Sequence, residues 1–103
     1  MAFHAIAREA DVLPGRPVVA FVEGVDVAVL RVDGQLYAFD RFCPHARGDL
    51  SDGEVIDGML TCPDHGWYFD IETGRCLKKN GTDIRRFPLR VVDGQIEVEL
   101  RPA

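Results

Sequence analysis

Two Asp-Gly pairs, set between short segments of alternating apolar and polar residues, place the strongest constraint on how this chain can fold. The pairs are Asp33-Gly34 and Asp93-Gly94. An Asp-Gly pair accepts the positive φ angles of a type I′ turn, which joins adjacent antiparallel strands readily. The chain is therefore predicted to form two β-hairpins, with strands over residues 25–32 and 35–40 and over 89–92 and 95–100.

The rest of the chain also predicts strands rather than helices. Alternation predicts further strands over residues 3–7 and 17–24, and no stretch shows the period of an amphipathic helix of useful length. In the last segment the apolar residues are expected to share one face, and Glu97 and Glu99 the opposite face. Short strands separated by turns are typical of a small all-β domain of antiparallel sheets.

With 103 residues, the chain is long enough for one small domain. Its middle, about residues 42–80, contains all three cysteines together with glycines and prolines, which predicts a loop-rich structure. Brief strand-like pieces occur there over 58–62 and 67–71. We expect residues 42–80 to form a subdomain inserted into a β base made of residues 1–41 and 81–103.

Two of the three cysteines are each followed closely by a histidine. Cys43 precedes His45 by two positions in "CPHARGDL", and Cys62 precedes His65 by three in "CPDHGWYFD". Thiolate and imidazole ligands on two short loops can hold either a zinc ion or an iron–sulfur centre with mixed ligands. Because each loop supplies one ligand of each kind, the order suits a two-iron cluster better than a single ion.

The two motifs, Cys-x-His and Cys-x-x-His separated by sixteen residues, resemble the motif of the Rieske family. The flanking stretches "RVDGQLYAFDRFCPH" and "HGWYFDIETGR" resemble Rieske-type ferredoxins of bacterial aromatic-ring-hydroxylating oxygenase systems. The resemblance implies three stacked antiparallel sheets and one [2Fe–2S] cluster. It also implies that Cys43 and Cys62 ligate one iron, and His45 and His65 the other.

The resemblance further implies a one-electron carrier rather than an enzyme. Such a carrier accepts electrons from a flavin-containing, NAD(P)H-dependent reductase and passes them to a terminal oxygenase that acts on an aromatic compound. A non-haem iron oxygenase needs two histidines and a carboxylate for its own metal. Once His45 and His65 are assigned to the cluster, His4 alone is left, and it is expected to be an ordinary surface residue.

Several positions depart from the respiratory branch of the family. That branch has an extra cysteine in each loop where this chain has Gly48 and Asp64, so no disulfide across the cluster is expected. It also has serine and tyrosine hydroxyls where this chain has Trp67 and Phe69. Because hydrogen bonds to the sulfurs help set the potential, their absence predicts a low potential, near the bottom of the Rieske range of roughly −150 to +300 mV.

Charge and composition exclude some classes of binding partner and indicate a compartment. The net charge of −5 argues against binding nucleic acid or an anionic membrane surface. No apolar run is long enough to cross a bilayer, the N-terminus shows no secretory signal, and the number of cysteines is odd. These features predict a cytoplasmic protein.

Two other functions are compatible with the sequence. The chain could be a small subunit bound permanently to a larger reductase such as nitrite reductase, in which case it should expose a large apolar patch. It could also be a zinc-stabilised binding module without redox chemistry. Cys76 and Trp67 are expected to pack in the core, and the basic pairs Lys78-Lys79 and Arg85-Arg86 to lie in solvated turns.

Overall fold

The structure is a computed structural model that describes residues 3–44, 48–63, 67–77 and 81–100. These residues form ten β-strands and two short 3-10 helices, over Glu9–Asp11 and Leu50–Asp52. The strands are β1 Phe3–Arg8, β2 Val18–Val22, β3 Val25–Val32, β4 Gln35–Asp40, β5 Val55–Ile56, β6 Met59–Thr61, β7 Tyr68–Asp70, β8 Arg86–Phe87, β9 Leu89–Val92 and β10 Gln95–Glu99. The described part of the chain contains no helix long and apolar enough to cross a membrane.

The strands pair into three antiparallel sheets, in the orders β1-β10-β9, β2-β3-β4-β8 and β5-β6-β7. The predicted all-β fold of antiparallel sheets is therefore confirmed. Both predicted Asp-Gly hairpins are present, because Asp33, Gly34, Asp93 and Gly94 all have positive φ angles. Strand β6 falls within the strand-like piece at 58–62, and β7 within the piece at 67–71.

Strand β3 is buried on both of its faces, which explains its nearly continuous apolar sequence. Val27 and Val29 belong to a core shared with Ile96 and Val98 of β10. The alternate residues Ala28 and Leu30 belong to a second core that includes both motif cysteines. Because successive side chains of a strand point to opposite faces, one strand separates the two cores.

The structure corrects two sequence expectations and adds detail to a third. Glu99, which was expected to point away from Ile96 and Val98, is 7% exposed and therefore buried. Arg85 is exposed, as expected for a solvated residue, and it also pairs with Asp40. Arg86 was expected in a solvated turn but lies half-buried in β8. Its guanidinium carbon is 5.6 Å from the ring centre of Tyr37, which is a cation–π contact. The pair Lys78-Lys79 lies outside the described residues.

A third Asp-Gly hairpin, which the sequence analysis did not identify, joins β5 to β6 at Asp57-Gly58. The pair Asp52-Gly53 has the same sequence but a different role. Gly53 follows the 3-10 helix with a φ of −77°, and a Cβ at this position would collide with the carbonyl oxygen of Thr61. Gly53 is therefore required by close packing of two backbone segments.

We predict that Gly53→Ala lowers the free energy of unfolding by about 2–3 kcal/mol, because the backbone must move to admit the methyl group. The matched control is Gly58→Ala, where a Cβ meets nothing within 4 Å but φ is +77°. That variant is expected to lose about 1 kcal/mol through the left-handed conformation alone. Urea unfolding of both variants measures the difference, and equal losses would contradict the close approach at Gly53.

Candidate functional site

Each motif cysteine begins a loop that its own backbone N–H closes. The N–H of Cys43 donates to the carbonyl oxygen of Gly48 at 2.8 Å, and the N–H of Cys62 donates to that of Trp67 at 2.7 Å. In both loops the acceptor lies five residues after the cysteine. The two loops are thus closed in the same way, although their sequences differ.

Both loops are the tips of antiparallel segments. Before and after the first loop, Phe42 and Asp49 form a β-bridge, and Leu50 N–H donates to the carbonyl oxygen of Arg41 at 2.7 Å. The second loop connects β6 to β7, whose last pair is Thr61 and Tyr68. Because the segments before and after each loop are paired, the backbone position of each cysteine is fixed.

The two cysteines enter the same core. Cys43 and Cys62 are each 1% exposed and share a cluster with Leu50, Leu60 and Phe69. No disulfide joins the cysteines of this chain. Thiolate is the form of cysteine that binds metals. Two thiols held in one apolar core, each at the start of a loop whose ends are joined by a backbone hydrogen bond, therefore fit the sulfur half of an iron–sulfur site.

The predicted imidazole ligands, His45 and His65, lie outside the described residues. The structure thus brings together Cys43 and Cys62, while the two histidines stay predictions from the sequence. Within the described residues no group of three or more histidine, cysteine, aspartate or glutamate side chains is arranged to hold a metal ion. The described site consequently accounts for two of the four predicted ligands.

Two cavities flank the cysteine loops. One of about 410 Å³ is lined by Cys43 and Pro44 together with residues 82–85. The other, about 380 Å³, is lined by Cys62 and Pro63 together with residues 52–54. Each cysteine-proline step therefore borders a space between its loop and a neighbouring segment.

An ion pair stabilises the base of the first loop. The guanidinium of Arg41 donates to one carboxylate oxygen of Asp49 from Nη2 at 2.8 Å and from Nε at 3.1 Å. The other oxygen of Asp49 accepts from the backbone N–H of Ser51 at 3.0 Å, which caps the 3-10 helix. Hydrogen bonding by Arg41, followed by that of Ser51, lowers the pKa of the Asp49 carboxyl, and the same contact raises the pKa of Arg41.

The remaining aromatic and cysteine residues of the region pack as expected. Phe69 is fully buried in the cysteine core, and Trp67 and Cys76 are partly buried against it. The backbone N–H of Cys76 donates to Oδ1 of Asp83 at 2.8 Å. The sequence analysis assigned no role to Arg41 or Asp83. The sequence offered one signal for Asp49, since aspartate is a preferred N-cap residue and its carboxylate accepts from a backbone N–H here.

Comparison with known proteins points to one iron–sulfur family. The family model of the Rieske [2Fe-2S] domain matches residues 2–88. The ferredoxin subunit of anthranilate 1,2-dioxygenase from Burkholderia cepacia is 40% identical over 75 residues, 72% of this chain and 69% of the relative. The ferredoxin component of the naphthalene 1,2-dioxygenase system from Pseudomonas putida is 32% identical over 91 residues, 87% of this chain and 88% of the relative.

Solved structures show the same fold. The ferredoxin of Sphingomonas yanoikuyae B1 has a TM-score of 0.87 at 29% identity, covering 97% of this chain and 100% of its own. A complex of reduced oxygenase and oxidised ferredoxin in carbazole 1,9a-dioxygenase gives 0.87 at 26%, covering 98% and 95%. A structure described as an NADH-dependent nitrite reductase small subunit from Mycobacterium tuberculosis gives 0.86 at 25%, covering 99% and 97%.

The Arg41–Asp49 pair predicts a pH dependence of stability. Because the folded-state pKa of Asp49 is lowered, its contribution is complete above the pKa of an ordinary aspartate, about 3.9, and is lost as the pH falls through the lowered value. Asp49→Asn removes this contribution at every pH. We expect the variant to be less stable than the wild type at pH 7, and the difference to narrow below about pH 4.

Thermal unfolding between pH 3 and pH 7 measures this difference. Asp33→Asn is the matched control, because Asp33 lies in the β3–β4 turn, has a positive φ that asparagine tolerates, and forms no ion pair among the described residues. Its curve should run parallel to that of the wild type. A constant gap between Asp49→Asn and the wild type across this range would show that the ion pair does not stabilise the loop.

Proposed function

Because the chain belongs to the Rieske [2Fe-2S] domain family, we propose that it is a one-electron carrier whose cluster is held by Cys43, His45, Cys62 and His65. One observation carries the proposal: two cysteine loops, closed by equivalent backbone hydrogen bonds, deliver their thiols into one core. Residues 42–80 would then form the cluster-binding subdomain on a base of residues 1–41 and 81–103.

A bound cluster of this kind supplies reversible one-electron chemistry, at a higher potential than an all-cysteine cluster because neutral imidazoles replace two thiolates. The chain's own residues bury the two thiols, which form no disulfide. Backbone hydrogen bonds join the two ends of each cysteine loop. Backbone that is already hydrogen-bonded at the ends of both loops is expected to change little when the charge of the site changes.

The side chains next to the second loop support a low potential. Phe69 is fully buried in the cysteine core, and Trp67 packs against the same core. Neither residue has a hydroxyl group that could donate a hydrogen bond to a ligand sulfur. Since such donors stabilise the reduced, more negative state, the potential is expected near the low end for Rieske centres.

The proposed donor is an NAD(P)H-dependent flavin reductase, and the proposed acceptor is a terminal Rieske non-haem iron oxygenase that acts on an aromatic compound. The acceptor is supported by relatives named as ferredoxins of anthranilate and naphthalene 1,2-dioxygenase systems. We propose that the exchange takes place in the cytoplasm. The chain is an electron-transfer component rather than a catalyst, since a non-haem iron centre needs two histidines and only His4 remains once His45 and His65 are assigned to the cluster.

A second candidate is a small subunit bound to a nitrite reductase, which the fold similarity to such a subunit favours. The distribution of apolar surface favours the carrier. Large exposed apolar side chains in the described residues are divided among all three sheets, as Val19 and Phe21, Ile56 and Tyr68, and Val91 and Val92. A permanent interface would require these residues to be concentrated on one face.

We predict that purified protein contains two irons and two acid-labile sulfides, no zinc, and a rhombic EPR signal of low average g value after reduction with dithionite. Cys43→Ser and Cys62→Ser should each reduce the cluster content by on the order of tenfold or more, because even outer-sphere changes can cost that much. Cys76→Ser is the matched control and should retain the cluster. One zinc ion without iron would contradict the electron-carrier function and support the zinc-stabilised binding module.

We also predict that His45→Cys shifts the visible spectrum and lowers the potential by roughly 100 mV or more. Replacing an imidazole by a thiolate adds a negative charge, and exchanging both separates Rieske from all-cysteine clusters by at least roughly 250 mV. His4→Cys is the control, because His4 lies on β1, and it should leave both properties unchanged. Redox titration followed by absorbance measures the shift. An unchanged potential in His45→Cys would show that His45 is not a ligand.

A further inference from the structure

Residues 81–85 form a wall beside the first cysteine loop. Thr82, Asp83 and Ile84 line one side of the cavity of about 410 Å³, and Cys43 and Pro44 line another. Ile84, which is 5% exposed, belongs to the same core as the two cysteines. The backbone of this segment therefore passes close to the loop that carries Cys43.

Hydrogen bonds fix this wall at three consecutive residues. Oδ1 of Asp83 accepts from the backbone N–H of Cys76 at 2.8 Å. The N–H of Ile84 donates to the carbonyl oxygen of Gly74 at 2.9 Å, and the carbonyl oxygen of Arg85 accepts from the N–H of Asp40 at 2.9 Å. Of these three bonds, that of Asp83 is made by a side-chain carboxylate, so a change of this carboxylate tests the contact directly.

The carboxylates near this wall differ in their partners. Asp40 is paired with Arg85, at 2.7 Å from Nη2 and 3.1 Å from Nε. Asp49 is paired with Arg41. For Asp83 the described residues provide a backbone N–H but no cation within 4.0 Å. Among these three carboxylates, Asp83 is thus the one whose negative charge is not offset by a described guanidinium.

We propose that Asp83 is a positioning residue that holds segment 81–85 beside Cys43, and that its charge keeps the potential of the cluster low. The proposal rests on the proposed function, because it takes Cys43 as a cluster ligand. A fixed negative charge near a redox centre disfavours the added electron, and net charge is one of the factors that set iron–sulfur potentials. Asp83 is exposed, so dissolved salt should weaken its effect.

Two substitutions separate charge from position. Asp83→Asn keeps an oxygen that can accept from Cys76 N–H but removes the charge. At low ionic strength it should raise the ratio of reduced to oxidised protein, at a fixed ambient potential, by roughly threefold or more. This increase should shrink in high salt. Asp83→Ala should show the same increase and also lose its cluster faster in the presence of a chelator, because the acceptor for Cys76 N–H is gone.

The matched control is Asp93→Asn, which removes the same charge in the β9–β10 turn, in the sheet that packs on the other core. Iron and sulfide content and EPR are measured first on every variant. Wild-type protein without a cluster would overturn the proposed function itself. With clusters present, an Asp83→Asn potential equal to that of wild type and Asp93→Asn would overturn the electrostatic role. An Asp83→Ala cluster as long-lived as that of the wild type would overturn the positioning role.

Discussion

The alternation of side chains in β3 is the constraint on which the rest of the molecule depends. Val27 and Val29 face one core, and Ala28 and Leu30 face the other. A shift of one residue in the pairing of β3 with β4 would exchange the two faces, which both contribute to buried cores. The register set by the turn between these strands therefore holds the cysteine core on one side of β3 and the core that contains Ile96 and Val98 on the other.

The predictable part of the fold is the part encoded locally. Asp33 and Gly34 are adjacent residues that both tolerate the positive φ angles of the turn. The strands that this turn joins were predicted with their observed bounds. Strand β8, by contrast, consists of two residues that pair with β4, so that Ala38 lies opposite Phe87. Two residues carry no readable alternation, and their partner lies far away in the sequence. An Asp-Gly pair also does not by itself determine a hairpin turn. Asp52-Gly53 lies instead where two backbone segments approach closely.

The site also has a part that the sequence predicts and a part that it does not. Cys43 and Cys62 could be predicted because the type and spacing of the residues are themselves the signal, and the structure places both in one core. The contacts that hold their loops could not. Arg41 contacts Asp49 because the segments before and after the first loop pair with each other, and Asp83 contacts Cys76, which lies seven residues earlier in the chain. Charged residues of this kind are indistinguishable in the sequence from those of a solvated surface.

Together these contacts give the first cysteine loop a fixed electrostatic environment. Two of the nearby carboxylates, Asp40 and Asp49, are each paired with an arginine, and both pairs also help to fix the backbone around the loop. Since the partners are already in place, little rearrangement is needed when the charge of the site changes. This property suits a carrier that gains and loses single electrons without chemistry of its own. If the proposed cluster is bound beside this loop, Asp83 is the carboxylate of the three whose charge would act on the potential without a described guanidinium to offset it.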